Sequence, residues 1–276
     1  IYNRSIDSYI LEYDCMNNTN SHPHYDYRIY PHLPTKVLIL ESTIKKIVEK
    51  DQLAIQYIPG FWYRVKQKQF IEAILRNPFS LQFITSETYG PNFYEQMCME
   101  AVTKDGLAIQ IIHDDKFVTD EIALKACEQN GSALLHVTAK QRKNSSIVLA
   151  AINSCSDAFY FCDLKNDKNI VDFALSKSMR LLHRVSSSLR KDYIFMNSIL
   201  NKYGTKENVL DFISNIDPKL ISQVMNDCVL LNGMALEYGS EDQRKNYELC
   251  RIAFEENKEA VRFMSNDIID KFICMQ

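Results

Sequence analysis

The segment IALKACEQNGSALLHV, beginning at Ile122, is followed by SSIVLAAINSCSDAFYF, in which the same succession of small and apolar residues returns 24 residues later. A chain that repeats itself at this interval is constrained to build an array, because so short a unit has too little apolar surface for a core of its own and must bury it on its neighbours. With Ala126 and Ala150 as register marks, the pattern recurs at Ile47, Ala73, Ala101, Ala126, Ala150, Ala174, Ser198, Cys228 and Ala253. Three residues before each mark and one residue after it, all 18 positions are apolar, as in Phe70 and Ile74, Cys98 and Val102, or Ala123 and Cys127. This spacing places the three residues on one face of an α-helix.

Each unit reads as a first helix of about ten residues, a short turn and a second, shorter helix. The turns KDQ at 50–52, RNP at 76–78, KDG at 104–106 and QNG at 129–131 are expected to use Gly and Asn for left-handed or tight backbone. After the turn comes a second apolar column of Ile55, Leu81, Ile109, Leu134, Ala158, Leu182, Leu236 and Val261. The unit marked by Ser198 departs from this, with Lys206 in the apolar place, a helix expected from Thr205 to Ile213, and a fresh start at Asp217-Pro218. The fold class is therefore all-α: an α-solenoid of about eight or nine helix–turn–helix repeats in a curved superhelix. We divide it into an irregular N-terminal arm and cap at 1–42, a repeat lobe at 43–200, and a C-terminal repeat lobe at 201–276 that closes on a capping helix, Ser265–Ile273.

Composition narrows the function classes. A formal charge of −3 and a pI of about 6.1 argue against a generally basic nucleic-acid binder. Four of the eight cysteines, Cys98, Cys127, Cys228 and Cys250, fall in the predicted helix stripes and no CxxC pair occurs, so they read as reduced core thiols of a cytoplasmic protein. No apolar run approaches the roughly 18 residues a membrane-spanning helix needs. No phosphate loop, GxSxG, HExxH or kinase signature is present, and no cofactor is expected. The chain opens on Ile1 instead of methionine, which reads as a trimmed or partial chain.

The stretch ACEQNGSALLHVTAKQRKNSSIVLAAI at 126–152 resembles the "N-G-x-A-L-x-x-A…V-x-x-A-V" repeat of a helical family known only as a domain of unknown function, and LNGMALEY at 231–238 and KDGLAIQI at 104–111 resemble it too. That family is found in protists, large viruses and intracellular bacteria, including secreted effectors of the Legionella type. The resemblance covers about residues 43–264, strongest at 97–160 and weakest at 193–215. It implies an α-solenoid acting inside a eukaryotic host cell, in the host cytosol after secretion, and carries over no catalytic residues.

Candidate sites follow from the register. The residue after the second apolar column points away from the core, which gives an exposed ridge of Gln56, Gln82, Gln110, Leu135, Phe159, His183, Glu237 and Arg262. Leu135 and Phe159 on such a ridge are candidate anchors for a protein partner. A basic set, Lys140, Arg142, Lys143, Lys165, Lys168, Arg184, Arg190 and Lys191, falls in the inter-repeat turns and suits an acidic protein or phosphoinositide headgroups if those turns share one edge. In the arm, His22, His24 and His32 form a weak metal-ligand pattern; Cys155 or Cys162 with His136 or His183 is a weak nucleophile pair. The reading is a non-enzymatic protein–protein interaction module, a host-directed bacterial effector or a regulator that binds and inhibits another effector. It grips one protein partner, a host protein or another effector; the alternative is an effector enzyme or phosphoinositide-binding protein with its site in the concave groove.

The small-residue row makes one demand that can be checked. Ala126→Trp is expected to destabilise the protein by about 1–3 kcal/mol or more through overpacking; a denaturation midpoint equal to that of the parent would remove Ala126 from the packed row.

Overall fold

In a computed structural model of the chain, residues 63–274 are described. The N-terminal arm with His22, His24 and His32, the mark at Ile47, the turn at 50–52 and the ridge residue Gln56 lie outside them. Every regular element among the described residues is helical. The chain divides into two units, the first ending at Gln141 and the second running from Arg142. The irregular segment near residue 200, expected at a lobe boundary, lies inside the second.

In the first unit, α1 (Tyr63–Arg76), the short α2 (Ser86–Tyr89), α3 (Pro91–Lys104) and α4 (Asp120–Gln129) carry the long apolar faces. The helices α1, α3 and α4 are each followed directly by a 3-10 helix, at Pro78–Phe83, Gly106–Ile111 and Gly131–Leu135. The second unit holds α5 (Ser145–Ser154), α6 (Lys168–Lys177), α7 (Ser187–Arg190), α8 (Tyr193–Tyr203), α9 (Val209–Asn215), α10 (Pro218–Leu231), α11 (Glu241–Arg244), α12 (Tyr247–Glu256) and α13 (Asn266–Cys274). Its 3-10 partners follow α5, α6, α10 and α12, at Ser156–Phe161, Met179–Arg184, Gly233–Tyr238 and Lys258–Phe263.

The second helix of the unit is thus a 3-10 helix of five or six residues, longer than such helices usually run. A single Asx residue builds the junction. The backbone N–H of Asn130 closes α4 on the Ala126 carbonyl at 2.8 Å, and its side-chain oxygen accepts from Ser132 N–H at 3.0 Å to start the next helix. Asn77, Asp105, Asn232 and Asn257 do the same for Phe79, Leu107, Met234 and Glu259. Capping of this kind satisfies donors that a helix start otherwise leaves open. At the other end, Thr119, Asn144, Asp167, Asp192 and Asn246 cap α4, α5, α6, α8 and α12.

The glycines of these corners correct the sequence expectation. The Asx residues are extended, with φ of −144° at Asp105 and −154° at Asn232, and among the described glycines only Gly90 has positive φ. Gly106 and Gly233 are required for a different reason. A Cβ on Gly106 would stand 2.3 Å from the carbonyl oxygen of Ala126, and one on Gly233 would stand 2.2 Å from that of Ala253. The corner of one unit therefore lies directly on the backbone of the next first helix. Its amide is not lost there: Gly106 N–H donates to Gln129 Oε1 at 2.6 Å and Gly233 N–H to Glu256 Oε2 at 2.5 Å.

The marks Ala73, Ala101, Ala126, Ala174, Cys228 and Ala253 are fully buried, as the stripe requires. Ala150 and Ser198 are not; their repeats centre one residue later, on the fully buried Ala151 and Ile199. The apolar run Ile147–Ile152 satisfies either register, so sequence alone did not separate them. In the irregular unit the 3-10 helix is replaced by α9, which buries Phe212 and Ile213. That helix starts at Val209, after a turn from Thr205, while Asp217 caps α10 as expected. The expected terminal helix is α13, where Ile268 is buried and Phe272 stacks on Tyr247 at 5.4 Å and meets Phe254 at 5.2 Å.

A methyl group at Gly106 has backbone as its obstacle, so the neighbouring helix must move. Gly106→Ala is expected to cost about 1–3 kcal/mol, read as a lowered urea midpoint at unchanged m-value; an unchanged midpoint would show that the corner does not seat on Ala126.

Candidate functional site

The third residue after each cap is buried, the fourth is buried everywhere except at the half-buried Val261, and the fifth stands outward. In the first unit these outward residues are Gln82, Gln110 and Leu135, and in the second Tyr160, His183, Glu237 and Arg262. Three of the polar ones are held by their own turn. Gln82 Nε2 donates to Phe79 O at 3.0 Å, His183 Nδ1 donates to Arg180 O at 2.6 Å, and Arg262 pairs with Glu259 at 3.5 Å. Leu135 has no such polar partner to find and is 53% exposed.

Phe159 is corrected. Its side chain is 0% exposed and is among the largest fully buried ones, in the column with Leu134 and Leu182. The register slip at Ala150 carries one residue further along: Phe159 takes the buried place assigned to Ala158, and the outward place belongs to Tyr160. Sequence reasoning missed Tyr160 for that reason. Had the unit been anchored on Asn144, the cap equivalent to Thr119, Tyr160 would have fallen on the ridge.

Tyr160 sits at the centre of an aromatic and cationic group. The His183 ring lies 5.8 Å from its ring, with Nε2 3.4 Å from the hydroxyl. Since Nδ1 donates to a carbonyl, the neutral imidazole presents Nε2 as acceptor for the Tyr160 O–H. The Arg184 guanidinium lies 4.8 Å from the Tyr160 ring centroid, and Lys165 Nζ donates to the Tyr160 carbonyl at 3.1 Å. An aromatic flanked by cations is a combination that protein interfaces favour.

The basic set divides in the structure. Arg142 pairs with Asp163 at 3.5 Å, Lys168 pairs with Asp192 at 2.7 Å, and Arg190 Nη1 donates to Asn215 O at 3.0 Å. The bond from Lys168 holds the Asp192 carboxyl below its usual range. Lys140, Lys143, Arg184 and Lys191 remain exposed. Within the second unit the connectors do lie side by side: Asp163 N–H donates to Arg142 O, Ser186 N–H to Lys165 O at 3.0 Å, and Asp217 N–H to Arg190 O at 3.1 Å.

The cysteine–histidine pairs find no activated thiol in the core. Burial pushes the thiols of Cys98, Cys127 and Cys228 up to about 12 and that of Cys250 up to about 11, and it raises Cys162 as well. Cys162 is buried and its sulfur accepts from Leu164 N–H at 3.1 Å, while His136 and His183 are exposed. Among the described residues no group of three or more His, Cys, Asp and Glu is placed to hold a metal, and no helix is long and apolar enough to cross a membrane. Compared with known protein families, with curated proteins and with solved structures, the chain matches none.

The corrected register has a direct energetic signature. Phe159→Ala is expected to destabilise the protein by about 3–5 kcal/mol, as for other large buried aromatics, and Tyr160→Ala by far less; the reverse order in chemical denaturation would restore Phe159 to the surface.

Proposed function

We propose that the chain is a non-enzymatic helical-repeat module, its helix and 3-10 pairs stacked as an α-solenoid, whose outward 3-10 residues and connectors grip one protein partner. The observation that carries this reading is Leu135. It is a large apolar side chain, 53% exposed, at a repeat position filled elsewhere by Gln82, Gln110, Tyr160, His183, Glu237 and Arg262. The core neighbour Leu134 already fills the buried place, so packing does not account for an apolar residue here. An exposed apolar residue among polar equivalents is what an interface anchor looks like in the free protein.

The repeat architecture supports the same reading. Each unit's core demands are met by the Asx corner, the small-residue row and the second column, which leaves the outward residues free to be set by a partner. The resemblance to repeats of secreted effectors supports placing that partner, a host protein or another effector, inside a host cell. The raised thiols of the buried cysteines offer no nucleophile to an enzymatic reading.

Affinity capture with the purified chain, from host-cell lysate and from lysate of the source organism, tests the reading. We expect one saturable protein partner whose retention falls about tenfold or more for Leu135→Asp, with the melting temperature unchanged. Failure to retain any partner by a well-folded chain would overturn the module.

A further inference from the structure

Repeat comparison exposes a second anomaly, in the second unit. The second residue of each long first helix is exposed and polar at Asn92, Glu121, Ser146, Asn169, Lys219 and Glu248. In α8 the same place holds Ile194, which is 79% exposed, beside the exposed Tyr193. No core requirement explains it, because α8 already buries Phe195, Met196, Ile199 and Leu200.

A chain of hydrogen bonds and an ion pair ties this end of α8 to the Tyr160 group. Lys165, which donates to the Tyr160 carbonyl, accepts through its own carbonyl from Ser186 N–H. Its neighbour Asn166 accepts through Oδ1 from the hydroxyls of Ser186 at 2.8 Å and Ser188 at 2.6 Å. Lys168 then bridges to Asp192, the cap of α8, and lies 5.5 Å from the Phe195 ring. The connectors thus form one edge, with Tyr160, His183 and Arg184 at one end and Tyr193 and Ile194 at the other.

The charge on this edge runs against that of the chain. The whole protein carries −3, yet the connector residues 184–191 contain Arg184, Arg190 and Lys191 and no acid. Asp192 is occupied by Lys168, and neither Arg184 nor Lys191 is ion-paired among the described residues. Cations left without an ion pair, on an edge that also carries an exposed aliphatic side chain, complement a segment carrying carboxylates and an apolar side chain.

We propose that the connector edge of the second unit, from Tyr160 and Arg184 to Lys191 and Ile194, binds an acidic peptide segment of the protein partner, with an apolar side chain of that segment seated on Ile194. This rests on the interaction-module reading and specifies the chemistry of the partner. The carboxylates meet Arg184 and Lys191, where salt screens them, and the apolar contact fixes the register of the peptide.

The test uses the full chain and a short fluorescein-labelled peptide of Asp and Glu with interspersed leucines, followed by anisotropy. A peptide with Lys in place of the acids and vesicles containing phosphatidylinositol 4-phosphate serve as the other arms. The expected result is saturable binding of the acidic peptide alone, weakened by added salt, and reduced about tenfold or more by Ile194→Asp and by Arg184→Glu with Lys191→Glu. Circular dichroism and melting temperature should not change, since these side chains are exposed; Ile194→Asn and Arg184→Gln provide milder versions. Absence of binding, equal binding of the lysine peptide, preference for the vesicles, or indifference to the variants would each overturn the assignment. If capture of a partner depends on Leu135 while the edge variants have no effect, the edge falls and the module stands. If no partner is retained at all, the module reading itself has failed.

Discussion

The contact on which the architecture depends is the seating of a corner glycine on the backbone of the following first helix. At Gly106 and Gly233 the space that a Cβ would need is taken by the carbonyl oxygens of Ala126 and Ala253. Such proximity is possible only if both partners are minimal, which explains the alanine at these two marks and the glycine after Asp105 and Asn232. It also takes an amide out of water, and a side chain from the last turn of the neighbouring helix replaces the lost hydrogen bond. Gln129 does this for Gly106 and Glu256 for Gly233, at the same place in the repeat. Burial pushes the Glu256 carboxyl up, but the Lys206 ammonium at 2.5 Å and the Gly233 amide together leave it below its ordinary value, so it accepts as a carboxylate at neutral pH.

Connectors are fastened by a second device that reuses capping chemistry. Gln141 accepts from Thr138 N–H at 3.1 Å within its own turn and donates to Val118 O at 2.7 Å in the preceding one. Gln243 repeats this in the second unit, accepting from Ser240 N–H at 3.0 Å and donating to Ser222 O at 3.1 Å. Each glutamine spends its oxygen on a cap and its amide on the neighbour, so the turn that ends one unit is also measured against the last. Gln141 is buried and hydrogen-bonded throughout, which fits a structural role for a polar residue in that place.

These local devices decide what the sequence disclosed. The Asx residues and the glycines at 104–106, 129–131 and 231–233 announced the corners, and the alanine row announced the face, because each is demanded by geometry that few residues meet. The reason given for glycine was nevertheless wrong, since a close approach and a positive φ leave the same letter in a sequence. Register was lost at α5 even though Asn144 caps that helix. At Ile147–Ile152 the residues are apolar throughout, so a shift by one changes nothing in the pattern, yet it exchanges Phe159 with Tyr160 and puts an interior ring on the surface. The cationic group around Tyr160 was unreadable for a further reason: Lys165 and His183 approach it from different turns, and only folded geometry shows which cations are taken by Asp163 and Asp192 and which are left.

Once the corner, the row and the caps are set aside, few positions in a repeat are free, and those few are where the units differ most in chemistry. Each unit therefore acts as a control for the others. A residue that departs from its equivalents at a buried place, as Phe159 does where Leu134 and Leu182 stand in other repeats, reports local repacking of the core. One that departs at an exposed place has no packing to answer to. Leu135 against glutamine, histidine, glutamate and arginine, and Ile194 against asparagine, glutamate, serine and lysine, are departures of the second kind. Leaving them in water has an unfavourable hydration free energy that the isolated chain does nothing to offset. In a protein whose interior is specified so locally, such unsupported apolar side chains point to function, because the fold would be satisfied without them.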